Sequence, residues 1–289
     1  MTALADTLLS GQLLAAALVT GALYALIALG LNLVYGTMRL LNVAHGDLMM
    51  IGAYVAYWAF VPLGIPPPLS LFAGAGVAAL LGFLLYFGMF RRLLEGGRAA
   101  RRLEANSLLL FFGVSVIMQN VVALQFSATP RGFQYLDEVY RFGGIAITGN
   151  RIAAFAIAGV ICFGLIAFLR FHVTGLAIRA LIQRRDAALV VGINVERVQI
   201  VTLCLGFATA AVAGALVSMT EQISPFMGFP FTIAAFVVII LGGLGNVGAG
   251  VAAGFLLGAL DTYGVALTSS AYRSILIYGV FVQIGRAHV

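Results

Sequence analysis

Few side chains in this sequence could do chemistry, and their spacing excludes the common catalytic sites. The three histidines, His45, His172 and His288, lie far apart, so there is no HExxH zinc motif. All sixteen basic residues are arginines, and the absence of lysine excludes a P-loop and a Schiff-base lysine. Cys162 and Cys204 lie in apolar stretches, which favours packing over metal binding or a disulfide. We therefore expect no enzyme active site, no metal and no cofactor.

The segment 36–47 carries polar residues between two apolar stretches. It contains Asn42, His45 and Asp47. Irregular backbone at membrane depth is tolerated only inside protein or beside water, and it can expose backbone groups to a substrate. One interpretation is that Asn42 or Asp47 caps the next helix. The other places Asn42 and His45 in a transport pathway or gate, and in both we expect these two side chains to face the protein interior.

Other polar residues lie in or beside apolar stretches, where an ionisable group usually faces the bundle interior. Asp261 falls near the end of one stretch, so it either packs inside or marks a shorter helix. Polar residues at helical spacing can line a pathway or form hydrogen bonds between helices. The further pathway or gate candidates are Tyr24, Asn32, Gln119, Asn120 and Glu221.

The composition indicates which elements must hold these residues. Hydrophobic residues make up 62% of the 289 and charged residues only 9%, against about 25% charged in soluble domains. This excludes a soluble domain, a disordered chain and a disulfide scaffold. We expect an all-α, polytopic helical membrane protein with about eight transmembrane helices and a broken or re-entrant stretch after the first. The expected spans are 13–35, 48–61, 69–90, 107–126, 152–169, 198–219, 231–244 and 247–267.

Arginines cluster in the loops around 91–102 and 170–197. The positive-inside rule places both loops in the cytoplasm, which leaves the loop 127–150 and the N-terminus outside. This distribution favours membrane topology over nucleic-acid binding. No basic residues precede the first apolar stretch, so no cleaved signal peptide is expected.

The loop at about 170–198 contains an amphipathic segment, 179–198. Small and apolar residues alternate there with charged ones, a pattern typical of a helix that binds in a partner's groove or lies on lipid headgroups. The residues that would contact a partner are Arg184, Asp186, Ala187, Ala188 and Gly192.

Three stretches resemble LivH-like permeases of branched-chain amino acid ABC importers. YGTMRLLNVAHGDLMMIGAY at 35–54 resembles their N-terminal motif, and GLAIRALIQRRDAALVVGIN at 175–194 resembles their ATPase-docking loop. LGGLGNVGAGVAAGFLLGALD at 241–261 resembles their glycine-rich C-terminal region. Within the second, Asp186-Ala187-Ala188 and Gly192 are similar to the EAA-x3-G docking motif, although aspartate replaces glutamate.

The resemblance implies a permease subunit in the bacterial inner membrane. Its partners would be two ATPase subunits, a second homologous permease and a substrate-binding protein, with lipid around it. Transport would be inward by alternating access. Permeases of the same family for urea, short amides or other amino acids remain alternatives, as does a stand-alone secondary transporter.

Two further expectations concern the C-terminal part of the chain. Gly250, Gly254 and Gly258 form a GxxxGxxxG series, which favours close helix packing within the chain or against a second permease. Residues 1–283 would form one transmembrane domain. The hexapeptide IGRAHV at 284–289 matches the translation of a common sequencing-adapter string, so we interpret it as a non-native tail, the alternative being a short polar tail.

Overall fold

Six helices are long and apolar enough to cross a membrane in this computed structural model, which describes residues 10–95, 103–269, 272–273, 275 and 277–279. The helices are α1 (Gly11–Met38), α2 (His45–Phe60), α3 (Pro67–Leu85), α4 (Arg91–Glu95), α5 (Leu103–Phe126), α6 (Gly149–Phe171), α7 (Val173–Gln183), α8 (Arg185–Val190), α9 (Val195–Val217), α10 (Gly228–Gly242) and α11 (Val247–Leu267). A π-helical turn, Tyr86–Phe90, joins α3 to α4. The all-α, polytopic membrane class is confirmed.

Two of the expected spans are short helices that begin inside the bundle. α2 has 16 residues and α10 has 15, fewer than the 20 or so that cross a bilayer. The eight expected spans thus correspond, among the described residues, to six long apolar helices and two half-spans, α2 and α10, because hydropathy does not distinguish a full span from a buried half-span.

The stretch between α1 and α2 is re-entrant. Residues 39–44 turn back along α1, and His45 reaches the carbonyl oxygen of Ile27 at 2.8 Å. Ile27 lies about 16 Å before the end of α1 along the helix axis. The break is shorter than the expected 36–47, since α1 continues to Met38 and α2 begins at His45.

Close backbone contacts hold the centre of the bundle together. A Cβ atom at Gly258 would overlap the backbone of Gly21, and one at Gly254 would lie 2.5 Å from the Cα of Ala25. The glycine series therefore packs α11 against α1 within the chain. Small residues likewise let α9 approach α2, where Gly214 lies against the backbone of Met49.

The loop predicted to be external contains a β-hairpin that the sequence analysis missed. β1 (Val139–Phe142) pairs antiparallel with β2 (Ile145–Thr148). Gly143 and Gly144 connect them at φ 53° and 87°, and positive φ at both positions is what a type I′ two-residue hairpin turn requires. Gln12 exchanges hydrogen bonds of 2.8 Å with the backbone of Ala146, which ties the hairpin to α1.

Candidate functional site

An open cavity of about 410 Å³ lies where the N-terminal half of α1 meets the ends of α6, α9 and α11. Its walls combine aliphatic side chains with four ionisable ones. The ionisable side chains are Arg151, Glu221, Asp261 and Arg273. We call this the four-charge cavity. In the predicted orientation all of these helix ends lie on the external side.

Arg273 organises the charges of the four-charge cavity. Its guanidinium donates to both carboxylate oxygens of Asp261, with Nε distances of 3.1 and 3.0 Å. The hydroxyl of Tyr24 also donates to Asp261, at 2.9 Å. The Asp261 side chain is only 3% exposed, so these donors compensate for burying its charge. Asp261 thus packs inside, and α11 continues past it to Leu267.

Arg273 was not singled out from the sequence, although a signal was available. An aspartate within a span needs a cationic partner, and Arg273 is the first basic residue after Asp261. Glu221, a pathway candidate, lies 3.9 Å from Arg273 and is half-exposed. Tyr24 and Glu221, which are far apart in sequence, therefore line or border the same cavity.

A second group of candidates lies at the re-entrant stretch. Asn42 and His45 are both fully buried, as expected. His45 Nε2 donates to the Ile27 carbonyl, whereas neither polar atom of the Asn42 amide has a partner among the described residues. The residue that caps α2 is Ala44, which forms no side-chain capping bond, so the interpretation of Asn42 or Asp47 as the cap was wrong.

The first turns of α2 and α10 meet beside this stretch. The Gly46 amide donates to the hydroxyl of Thr232 at 2.8 Å, and a Cβ at Gly46 would overlap the Gly228 carbonyl. Two half-spans thus begin at one place inside the bundle. Broken helices of this kind are typical of transporter pathways.

Gln119 joins α5 to this region, and Asn120 does not. The Gln119 amide donates to Asp47 at 2.9 Å and to Ser115 at 3.1 Å. Asn120 is exposed on the outer face of α5 and donates to its own helix, at the carbonyl of Val116. Asn120 therefore faces away from the group that Gln119 joins, because adjacent helical residues point about 100° apart.

Asn32 lies near the opposite end of α1, at the loop that connects α10 to α11. Its side-chain oxygen accepts from the Gly245 amide at 2.6 Å, and its side-chain nitrogen donates to the Asn246 carbonyl at 3.0 Å. Asn32 therefore ties α1 to this loop.

The predicted docking segment forms two short helices, α7 and α8. Gly192 follows α8 at φ +81°, a conformation that favours glycine. Arg184, Asp186 and Ala187 are exposed, while Ala188 is 2% exposed. Ala188 thus packs α8 against the rest of the chain, whereas the other three side chains are open to a partner.

Ile182 of α7 connects this segment to the rest of the bundle. A Cβ at Gly36 would lie 3.2 Å from Ile182, and one at Gly245 would lie 3.0 Å from it. Its side chain therefore sits between the end of α1 and the loop that Asn32 holds.

Comparison of the sequence with known proteins shows a family and several relatives. The family model described as "Branched-chain amino acid transport system / permease component" matches residues 13–285. One relative is BraD of Pseudomonas aeruginosa, a high-affinity branched-chain amino acid transport system permease protein. It is 30% identical to this chain, and the match covers 94% of this chain and 92% of BraD.

Two permeases of one organism are also similar to the chain. LivH of Escherichia coli K12 is 30% identical, and the match covers 91% of this chain and 89% of LivH. LivM of the same strain is 27% identical, and the match covers 81% of this chain and 60% of LivM. No solved structure matches the chain. Because the family model covers nearly the whole length of the chain, this multi-pass membrane protein belongs to the permease components of branched-chain amino acid transport systems.

Proposed function

We propose that the chain is the permease subunit of an ABC importer that moves branched-chain amino acids into the cell, driven by separate ATPase subunits. The observation that carries this proposal is the family match over 13–285. The absence of lysine agrees with it, since a P-loop needs a lysine. We therefore assign ATP hydrolysis to a partner subunit.

The surface of α8 suits a partner's groove. Leu189, Val190 and Val191 are 53%, 87% and 74% exposed. Arg184, Arg185 and Asp186 flank this apolar group. An apolar ridge bordered by charges is the usual form of a helix that binds in a groove, and we assign it to the ATPase.

Contacts within the chain provide a route from that surface to the membrane helices. Ile182 packs against Gly36 at the end of α1 and against Gly245. Asn32 bonds α1 to the same loop. A displacement of α7 would therefore push on α1, which is about 42 Å long and reaches the four-charge cavity at its other end. This gives alternating access a mechanical basis.

The remaining partners would be a second homologous permease, a second ATPase and an external substrate-binding protein. The similarity of the chain to both LivH and LivM of one strain supports a pair of related permeases. Many large apolar side chains on the outer faces of α3, α5 and α6 are exposed, among them Phe72, Leu124 and Phe163. They suit lipid or a second permease.

The test is uptake of labelled leucine, isoleucine, valine, urea and propionamide by proteoliposomes that contain the complete importer. We expect branched-chain amino acid uptake that requires ATP and the binding protein. Uptake driven by an ion gradient without the ATPase would establish a secondary transporter instead, and ATP-driven uptake of urea or propionamide alone would establish the other substrate class.

The docking surface is tested separately by Val190→Glu, with Val139→Glu on the external hairpin as the matched control. We expect Val190→Glu to reduce co-purification of the ATPase at normal permease yield, because it places a charge in an apolar contact. Equal ATPase recovery with both variants would contradict the assignment of α8.

A further inference from the structure

The four-charge cavity combines three features that a neutral amino acid would require. Aliphatic side chains of α1 and α11 line it, including Leu13, Val19, Leu23 and Val265. Two arginines and two carboxylates also line it, so their formal charges cancel. Its volume of about 410 Å³ falls at the small end of the range for ligand pockets.

The four charged groups differ in the hydrogen bonds and ion pairs that they form. Asp261 is buried and bonded to Arg273 and Tyr24, so this pair is already neutralised. Arg151 lies in the first turn of α6, is exposed, and has no hydrogen-bond or ion-pair partner among the described residues. Glu221 is half-exposed, and its one ion pair in the described part of the chain is with Arg273 at 3.9 Å, beyond hydrogen-bond distance.

One cation and one anion in this cavity thus retain open hydrogen-bonding capacity. A lone cation or anion bound there would leave the opposite protein charge without a partner. A zwitterion satisfies both at once, because charge-assisted hydrogen bonds from arginine to carboxylate and from ammonium to carboxylate are the strong ones.

We propose that the four-charge cavity is an amino-acid binding site on the external side. The substrate carboxylate would bind Arg151, its ammonium group would bind Glu221, and its aliphatic side chain would pack on the wall formed by α1 and α11. Arg273, fixed by Asp261 and Tyr24, is a positioning residue that holds Glu221 at the cavity. This proposal rests on the proposed function, because it describes where the permease first holds its substrate.

The experiment measures equilibrium binding of labelled leucine to the detergent-solubilised importer without its binding protein, so that the permease supplies the site. Unlabelled 3-methylbutylamine, which lacks the carboxylate, and 4-methylpentanoate, which lacks the ammonium group, are the competitors. We expect leucine to bind at millimolar concentrations and both competitors to be about tenfold weaker or worse than leucine, since each loses a charge-assisted bond.

Arg151→Gln and Glu221→Gln should each weaken leucine binding by about tenfold or more, while Arg151→Lys should restore part of it. In Arg151→Gln, leucine should lose its advantage over 3-methylbutylamine, and in Glu221→Gln its advantage over 4-methylpentanoate. Arg141→Gln, on the external hairpin and outside the cavity, is the control and should bind leucine as the wild type does. A misfolded variant would lose binding of all three ligands, and it would not lose the advantage of leucine over one competitor only.

Wild-type leucine affinity in both Arg151→Gln and Glu221→Gln would overturn the cavity site, as would no leucine binding by the wild type. Either result is compatible with ATP-driven leucine uptake, so the proposed function would survive it. Conversely, binding of a different neutral amino acid with the same dependence on Arg151 and Glu221 would support the cavity site even if branched-chain uptake failed.

Discussion

At the scale of single residues, Asn42 and His45 are equally buried but differ in their bonds. His45 fastens the start of α2 to the middle of α1 through the Ile27 carbonyl. Asn42 has no partner for either polar atom among the described residues, and leaving a buried amide unpaired costs about 1–3 kcal/mol. Asn42 thus forms no hydrogen bond with the described residues that would stabilise this conformation, and this agrees with a role in a conformation that offers it a partner.

We therefore predict opposite results for Asn42→Ala and His45→Ala. Asn42→Ala should keep or raise the folded yield and melting temperature and lower leucine uptake. His45→Ala should lose folded yield, because it removes a hydrogen bond and leaves a cavity, at a cost of about 2 kcal/mol or more. Yield, melting temperature and uptake are measured on the same preparations. Normal uptake by Asn42→Ala would contradict its role in the pathway.

The pair Asp261 and Arg273 allows a second prediction at this scale. Arg273→Gln leaves the buried Asp261 carboxylate without its cation, which should cost about 3 kcal/mol of stability. The double variant Asp261→Asn/Arg273→Gln removes both charges and should be closer to the wild type in melting temperature. Independent, additive effects of the two substitutions would show that the carboxylate and guanidinium are not coupled.

At the scale of elements, backbone contact between helices decides where a glycine is required. Gly258 of α11 lies on the backbone of Gly21, whereas Gly164 of α6 has open space where its Cβ would be. Both are glycines within apolar spans, but Gly258 belongs to the GxxxGxxxG series and Gly164 does not. Their neighbours in the fold differ accordingly.

Gly258→Ala should therefore destabilise the protein, by about 1–3 kcal/mol for an overpacked site. The matched change Gly164→Ala should be neutral or slightly stabilising, because alanine favours helix over glycine. Thermal melting of the two variants in the same detergent compares them directly. Equal melting temperatures would show that α1 and α11 do not approach as closely as described.

Gly192 is required for a different reason, which is its backbone conformation. Its φ is +81° and nothing lies within 4 Å of a Cβ placed there. Gly192→Val should reduce ATP-driven uptake at normal membrane insertion, whereas Gly192→Asn should retain most of it, because asparagine tolerates positive φ. If both variants lose uptake to the same extent, the absence of a side chain where the partner binds, and not the turn, is what Gly192 supplies.

At the scale of the whole molecule, α1 connects the four-charge cavity to the proposed docking segment. Its outer half carries Tyr24 and the wall of the four-charge cavity. Its other end carries Gly36 and Asn32, which meet Ile182 and the loop before α11. A helix is stiff along its axis, so α1 can transmit a displacement from the docking segment to the cavity.

Ile182→Ala should then uncouple ATP hydrolysis from uptake. The ATPase should still co-purify, because α8 is unchanged, but leucine moved per ATP should fall. Leu176→Ala, at a half-exposed position on the same helix, is the control and should keep the wild-type ratio. An unchanged ratio in Ile182→Ala would exclude this contact as the transmission point.

The sequence by itself determined the class and the family resemblance, because these depend on composition and on local motifs. Apolar stretches 20 residues long predict spans wherever they pack, and the spacing of Asp186, Ala187, Ala188 and Gly192 lies within one short loop. The burial of Asn42 and His45 also followed, since polar groups cannot face lipid unpaired.

Only the tertiary structure decided which distant residues meet. Tyr24, Glu221, Asp261 and Arg273 are spread over 250 positions of the chain, and no local pattern joins them into one cavity. It also decided that α2 and α10 are half-spans whose first turns touch at Gly46 and Gly228. Hydropathy measures how apolar a segment is, whereas the depth at which a helix begins depends on the neighbours that satisfy its first backbone groups.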